Sequence, residues 1–207
     1  METSAYRRVT QITRHELRIK RSQFIGTAAP APTREAAEEF IKQIKKEFHD
    51  ATHNCFAYRI DPQTHRYSDD GEPAGTAGSP ILAAIEKHQL IQTVVVVTRY
   101  FGGIKLGTGG LARAYGQCAE ETLQRAPQEK IVVMEHLMVR FPYSMTGTIQ
   151  QMLERNGARV EGRTYSEMVT MEVAVPRAAK SQLITSLIEA TAGKIEIQEV
   201  LNGNPGS

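Results

Sequence analysis

Residues 91–98 read Ile-Gln-Thr-Val-Val-Val-Val-Thr, a near-continuous run of β-branched side chains. A strand with one wet face alternates apolar and polar residues. A run without that alternation predicts a strand buried on both faces, the central strand of its sheet. Upstream, Pro30 to Thr33 supply a turn and a cap for an amphipathic helix ending near Phe48, with Ala37, Phe40, Ile41, Ile44 and Phe48 at helical spacing. Residues 54–60 alternate, which predicts a strand with Phe56, Tyr58 and Ile60 on its buried face. Residues 6–24 read as one or two further strands. Residues 61–79 read as a long polar loop, and a helix is expected from about Pro80 to His88. The glycine-rich loop 102–110 leads into another helix, 111–125, which Pro127 ends.

Beyond Pro127 the expected order is strand 131–141, helix 145–156, strands 159–165 and 168–175, helix 177–191 and strand 194–200. This βαββαβ succession predicts a ferredoxin-like domain, an antiparallel four-stranded sheet with two helices on one face. At 207 residues the chain suits two small domains of the α+β class, 1–128 and 129–201, with a flexible tail at 202–207.

Composition narrows the partners. With 41% hydrophobic and 23% charged residues the chain has the make-up of a folded protein, and a net charge of +2 gives no global field toward nucleic acid or acidic membranes. Any anion site must therefore be local. Apolar runs such as Val94–Val97 fall far short of the ~20 residues that span a bilayer. Residues 1–8 lack the apolar centre of a secretory signal, and Cys55 and Cys118 form no spaced disulfide framework. A reducing cytoplasm is the expected compartment.

Two loops carry candidate chemistry. In the first, running from Arg99 to Gly110, glycines allow close approach of a backbone or ligand, and the helix that follows presents unpaired N–H groups and a positive dipole end. Lys105, Arg99 and Arg113 can add charge to a phosphate held there. The plainer reading is a tight crossover. The loop lacks the Gly-Lys-Ser/Thr of a phosphate loop. It meets G-x-G-x-x-A at Gly107, Gly109 and Ala112, but only after residues 99–106, where the dinucleotide fold needs an immediate turn. In the second loop, Asp69, Asp70 and Glu72 flank Gly71, and such carboxylates either bind a hard cation, act as acid and base, or simply build a turn. His49, His53 and Cys55 have a metal-like spacing, but the preceding helix ends near Phe48, so they need not share a face and no metal site is expected. No nucleophile elbow or triad order signals a hydrolase.

The strand running into Arg99-Tyr100-Phe101-Gly102-Gly103 and then Leu106-Gly107 resembles the signature of the IMPACT family. So does Asp69-Asp70-Gly71-Glu72-Pro73 followed by Gly75-Thr76-Ala77-Gly78, and His49, His53, Cys55, Lys20, Ser22 and Phe24 add further matches. Gln23 stands where the family often has a basic residue. The resemblance covers residues 15–126 strongly, and beyond them the chain is similar to the family's bacterial C-terminal module mainly in element order. It implies an N-terminal domain like the second domain of ribosomal protein S5 and a C-terminal domain like the ferredoxin-like domains of elongation factor G. It also implies a link to regulation of translation, although eukaryotic members act there through an added domain whose role is not carried over.

The expectation is therefore a non-enzymatic cytoplasmic protein, without cofactor or membrane association, that binds RNA or a ribosome-associated partner. The expected face comprises Asp69, Asp70, Gly71, Glu72, Gly75 and Thr76 from one loop, and Arg99, Tyr100, Gly102, Gly103, Lys105, Gly107, Thr108, Gly109 and Gly110 from the other. The alternative is a small-molecule enzyme or phosphate-ligand binder, with residues 107–110 on the phosphate and Asp70 or Glu72 as base or metal ligand.

Overall fold

The computed structural model describes residues 5–200, so the tail expected at 202–207 lies outside the described residues. The chain is of mixed α/β class and divides into two compact units, Tyr6–Ile131 and the residues from Val132 onward, with Ala5 counted with the latter. Among the described residues no helix is long and apolar enough to cross a membrane.

In the first unit, β1 (Ala5–Val9) pairs with β7 (Gln128–Val132) in a small separate sheet. The main sheet has the order β2 (Thr13–Ile19), β3 (Ser22–Pro30), β6 (Thr93–Tyr100), β4 (His53–Arg59), β5 (His65–Ser68), and every pairing is antiparallel. The β-branched run is central as expected, and every residue from Thr93 to Arg99 is buried. Val95 and Val97 point into a core shared with Phe24, Ala28, Cys55 and Ala57 beneath α2 (Gly78–Lys87) and α3 (Thr108–Arg125). Val94 and Val96 join Phe56 and Tyr58 on the other face, packed by Ala37, Ile41 and Ile44 of α1 (Arg34–Glu47). Helix α1 begins where Thr33 Oγ1 accepts the Ala36 N–H at 3.2 Å, with Lys45 and Lys46 placed against the dipole of its last turn.

The one or two strands expected over residues 6–24 are β1, β2 and the start of β3, and other expectations for this unit also need correction. Strand β4 is covered on both faces, because Cys55 and Ala57, small enough to read as an outer face, lie under α2 and α3. Strand β5 interrupts the expected loop; its His-Arg-Tyr-Ser sequence is that of a polar edge strand, which carries no alternation signal. Helix α3 starts at Thr108 rather than Leu111, so Gly109 and Gly110 belong to its first turn.

In the second unit, β8 (Met134–Phe141), β9 (Arg159–Tyr165), β10 (Val169–Pro176) and β11 (Glu196–Val200) form an antiparallel sheet of order β11-β8-β10-β9. Alternate residues Leu137, Val139, Phe141, Met171, Val173 and Val175 meet Ile149 and Leu153 of α4 (Thr146–Arg155) and Leu183 and Leu187 of α5 (Lys180–Ala190). The strand expected over 131–141 is broken at Val133 into β7 and β8.

Candidate functional site

Strand β6 delivers Arg99 to the end of the sheet, and the chain then turns back through the glycine loop. Gly102 lies so close to the β2–β3 turn that a Cβ would fall 2.1 Å from the Arg21 carbonyl carbon, so only glycine fits without displacement. Its N–H donates to Ser22 Oγ at 3.2 Å. Gly107, at φ 73°, precedes α3 without any side-chain cap. The first helical bond runs from the Leu111 N–H to the Gly107 carbonyl at 2.9 Å, which leaves the N–H groups of Thr108, Gly109 and Gly110 without a partner among the described residues. Two of those three positions have no side chain to block an approaching ligand. The whole 18-residue dipole of α3 stands behind them.

The acidic loop separates its three carboxylates by role. Asp69 turns inward and accepts from the Ala77 and Gly78 N–H groups at 2.9 and 2.8 Å and from Gly75 at 2.9 Å, so it organises the start of α2, which has no cap of its own. Burial pushes its pKa up, but the three backbone donors outweigh burial and hold it below the usual carboxylate value. Asp70, at φ 45°, accepts the Asn54 N–H at 2.7 Å and pairs with Lys45 at 2.5 Å. Thr76 is buried and donates to the Pro73 carbonyl, while Gly71 and Gly75 take left-handed angles in the same turn. These residues build the loop.

Glu72 faces a different way. With its side chain 5% exposed, it receives the Arg99 Nη1 donor at 2.5 Å and the Tyr115 hydroxyl at 2.8 Å, both on Oε1. Oε2 has no hydrogen-bond partner among the described residues. Arg99 is 6% exposed and sandwiched between the rings of Phe24 and Phe101, with Nε buried and unpartnered. Its charge is thus neutralised by Glu72 rather than offered to a phosphate. His53 donates Nδ1–H to the Asp70 carbonyl at 2.7 Å, because a carbonyl can only accept, and this leaves Nε2 4.0 Å from Glu72 Oε1.

Glu72, Arg99 and His53 line one cleft of about 440 Å³ together with Lys105, Gly107 and Thr108. The cleft thus brings the acidic loop and the start of α3 together. Of the residues expected from the glycine loop, Tyr100, Gly102, Gly103, Gly109 and Gly110 are not among its lining residues; the Tyr100 hydroxyl donates to Asp50 at 2.8 Å, outside the cleft. Sequence reasoning missed Thr52, Phe101 and Leu111 as lining residues and Tyr115 as the donor to Glu72. Thr108, Leu111 and Tyr115 stand at helical spacing on one face of α3, a signal that could have found them. Phe101 is 46% exposed where the strand ends.

His49 is exposed beyond α1, while the Cys55 thiol donates to the Asp69 carbonyl at 3.0 Å and burial pushes its pKa up to about 12. Among the described residues no group of three His, Cys, Asp or Glu side chains is placed to hold a metal ion.

The residues that build this cleft fall within a recognised sequence domain. The profile of the Impact N-terminal domain matches residues 20–123, and that of a domain of unknown function (DUF1949) matches residues 139–194. The IMPACT family member YvyE of Bacillus subtilis (strain 168) is 39% identical over 197 residues, 94% of this chain and 91% of that protein. Protein IMPACT of Oryctolagus cuniculus is 38% identical over 95 residues, 42% of this chain and 29% of that protein. A crystal structure described only as that of a hypothetical protein is 29% identical, covers 98% of this chain and 100% of its own, and superposes with a TM-score of 0.64. With both profiles in order along the sequence and a bacterial relative matched over nearly its whole length, this chain belongs to the IMPACT family.

Proposed function

We propose that this protein is a non-enzymatic, translation-linked RNA binder that seats single-stranded RNA at the cleft of its first unit. The carrying observation is the start of α3: the N–H groups of Thr108, Gly109 and Gly110 have no partner among the described residues, and Thr108 lines the cleft together with Lys105 and the exposed ring of Phe101. A phosphate suits the amides and the ammonium group, and a base suits the aromatic face. Among the described residues no acidic side chain pairs with Lys105, whereas Arg99 in the same cleft is paired with Glu72. The translation link rests on family membership. For the first unit we propose the fold of the second domain of ribosomal protein S5. For the second we propose a ferredoxin-like fold, supported by its βαββαβ order and by its sheet order β11-β8-β10-β9.

Filter binding of labelled single-stranded RNA across a salt series tests this reading. Lys105→Ala is expected to lower affinity several-fold at low salt and to flatten the slope of log K against log salt by about 0.7, the value for one phosphate contact on a single strand. Absence of binding at low salt, or an unchanged slope in the variant, would remove the cleft from RNA recognition.

A second reading, a small-molecule enzyme or phosphate-ligand binder, is favoured by His53, whose anchored Nδ1 leaves Nε2 free beside a buried carboxylate. A nucleotide that raises the melting temperature of a protein unable to bind RNA would support it.

A further inference from the structure

The proposed RNA site contains more acceptors than a phosphate can use. A phosphate has no donor to offer at neutral pH, yet the cleft is lined by Glu72, whose side chain is 5% exposed and whose Oε2 has no hydrogen-bond partner among the described residues. His53 Nε2 lies 4.0 Å from Oε1 of the same carboxylate, and with Nδ1–H given to the Asp70 carbonyl it is left as an acceptor. Acceptors in a ligand cleft that no described residue supplies with a donor mark where a ligand can supply a hydrogen. The same cleft is also lined by Thr108, whose N–H has no partner among the described residues. A complementary ligand carries an anion at one end and, close to it, a hydroxyl donor.

We infer that Glu72 and His53 read the ribose 2′-hydroxyl, so that the cleft takes a ribonucleotide unit and rejects its deoxy counterpart. This deepens the RNA reading and rests on it. Within a nucleotide the 2′-hydroxyl is the sugar donor that separates RNA from DNA, and it lies near the backbone phosphate. The cleft volume of about 440 Å³ is that of a small-molecule site, enough for one splayed-out nucleotide and too small for a duplex. Phosphate goes to the start of α3 and Lys105, sugar to Glu72 and His53, base to Phe101. Glu72 is held in place for this by Arg99 and Tyr115, which occupy Oε1 and leave Oε2 to the ligand.

The test compares one oligonucleotide sequence in four backbones, RNA, DNA, 2′-fluoro RNA and 2′-O-methyl RNA, on the full-length chain. The 2′-fluoro sugar keeps the RNA pucker but has no hydrogen to donate. RNA is expected to bind about 10- to 100-fold more tightly than the other three, the scale of one hydrogen bond to a charged acceptor. His53→Ala and Glu72→Gln are expected to bring the RNA-to-DNA affinity ratio toward one. Should Glu72→Gln fail to fold, the 2′-fluoro comparison on the unaltered protein decides alone. Equal binding of RNA and 2′-fluoro RNA, with both weakened by Lys105→Ala, would overturn the ribose assignment and leave the RNA site standing. No binding of any of the four would remove both.

Discussion

Urea denaturation of an Arg99→Ala variant is expected to show a loss of about 3–5 kcal/mol in unfolding free energy, the range for removing one partner of a buried ion pair. Glu72 and Arg99 are 5% and 6% exposed, so water cannot take the place of the lost guanidinium. Among the described residues the variant leaves the carboxylate with the Tyr115 hydroxyl as its one hydrogen-bond donor, and it also removes the cation near the Phe24 and Phe101 rings, which lie 5.5 and 5.3 Å from its centre. Adding Glu72→Ala to Arg99→Ala is expected to recover part of the loss, because the stranded charge is then gone. A loss below about 1 kcal/mol would place the pair in the class of solvent-screened surface bridges.

Asp69→Ala is expected to cost about 2–3 kcal/mol by the same measurement, on the scale of a lost helix cap plus further bonds to a charged acceptor. Three N–H groups, of Gly75, Ala77 and Gly78, lose their acceptor together, and α2 has no other side-chain cap. The pH dependence fixes the mechanism. The folded-state pKa of Asp69 is depressed, so its contribution is fully present above its unfolded value of about 3.9 and disappears as pH falls through the folded value. The stability difference between the parent and Asp69→Ala should therefore be largest near pH 7 and shrink below pH ~3.9. A gap that stays constant down to strong acid would mean that the carboxylate charge plays no part.

Much of the fold was legible because local pattern and tertiary role agreed. Thr33 capped α1, and the unbroken valines of β6 required cover on both faces. Strand β5 was hidden because an edge strand with wet faces has the composition of a loop. The outer face of β4 was hidden because Cys55 and Ala57 are small, and small residues mark close packing only once the opposing helix is known. Within the acidic loop, the roles of Asp69 and Glu72 could not be told apart from spacing. Both stand in a polar, glycine-bearing turn, and their separation into loop organiser and cleft carboxylate depends on Arg99 and Tyr115, 27 and 43 residues away from Glu72. The charge of Arg99 was legible but its use was not, since a sequence shows a cation and not its counter-ion.

The contact between Gly102 and the β2–β3 turn sets a timetable for the protein's birth. Ser22 Oγ and Gly102 N, joined at 3.2 Å, are separated by 80 residues of chain. At translation rates of about 5–20 residues per second, the N-terminal hairpin emerges and then waits about 4–16 s before its partner exists. During that interval Phe24, destined to be fully buried, is exposed on a two-stranded hairpin, which is marginally stable at best by itself. The cleft cannot assemble until α3 has been made and docked, and the hairpin's long wait is the step at which a chaperone would have the most to protect.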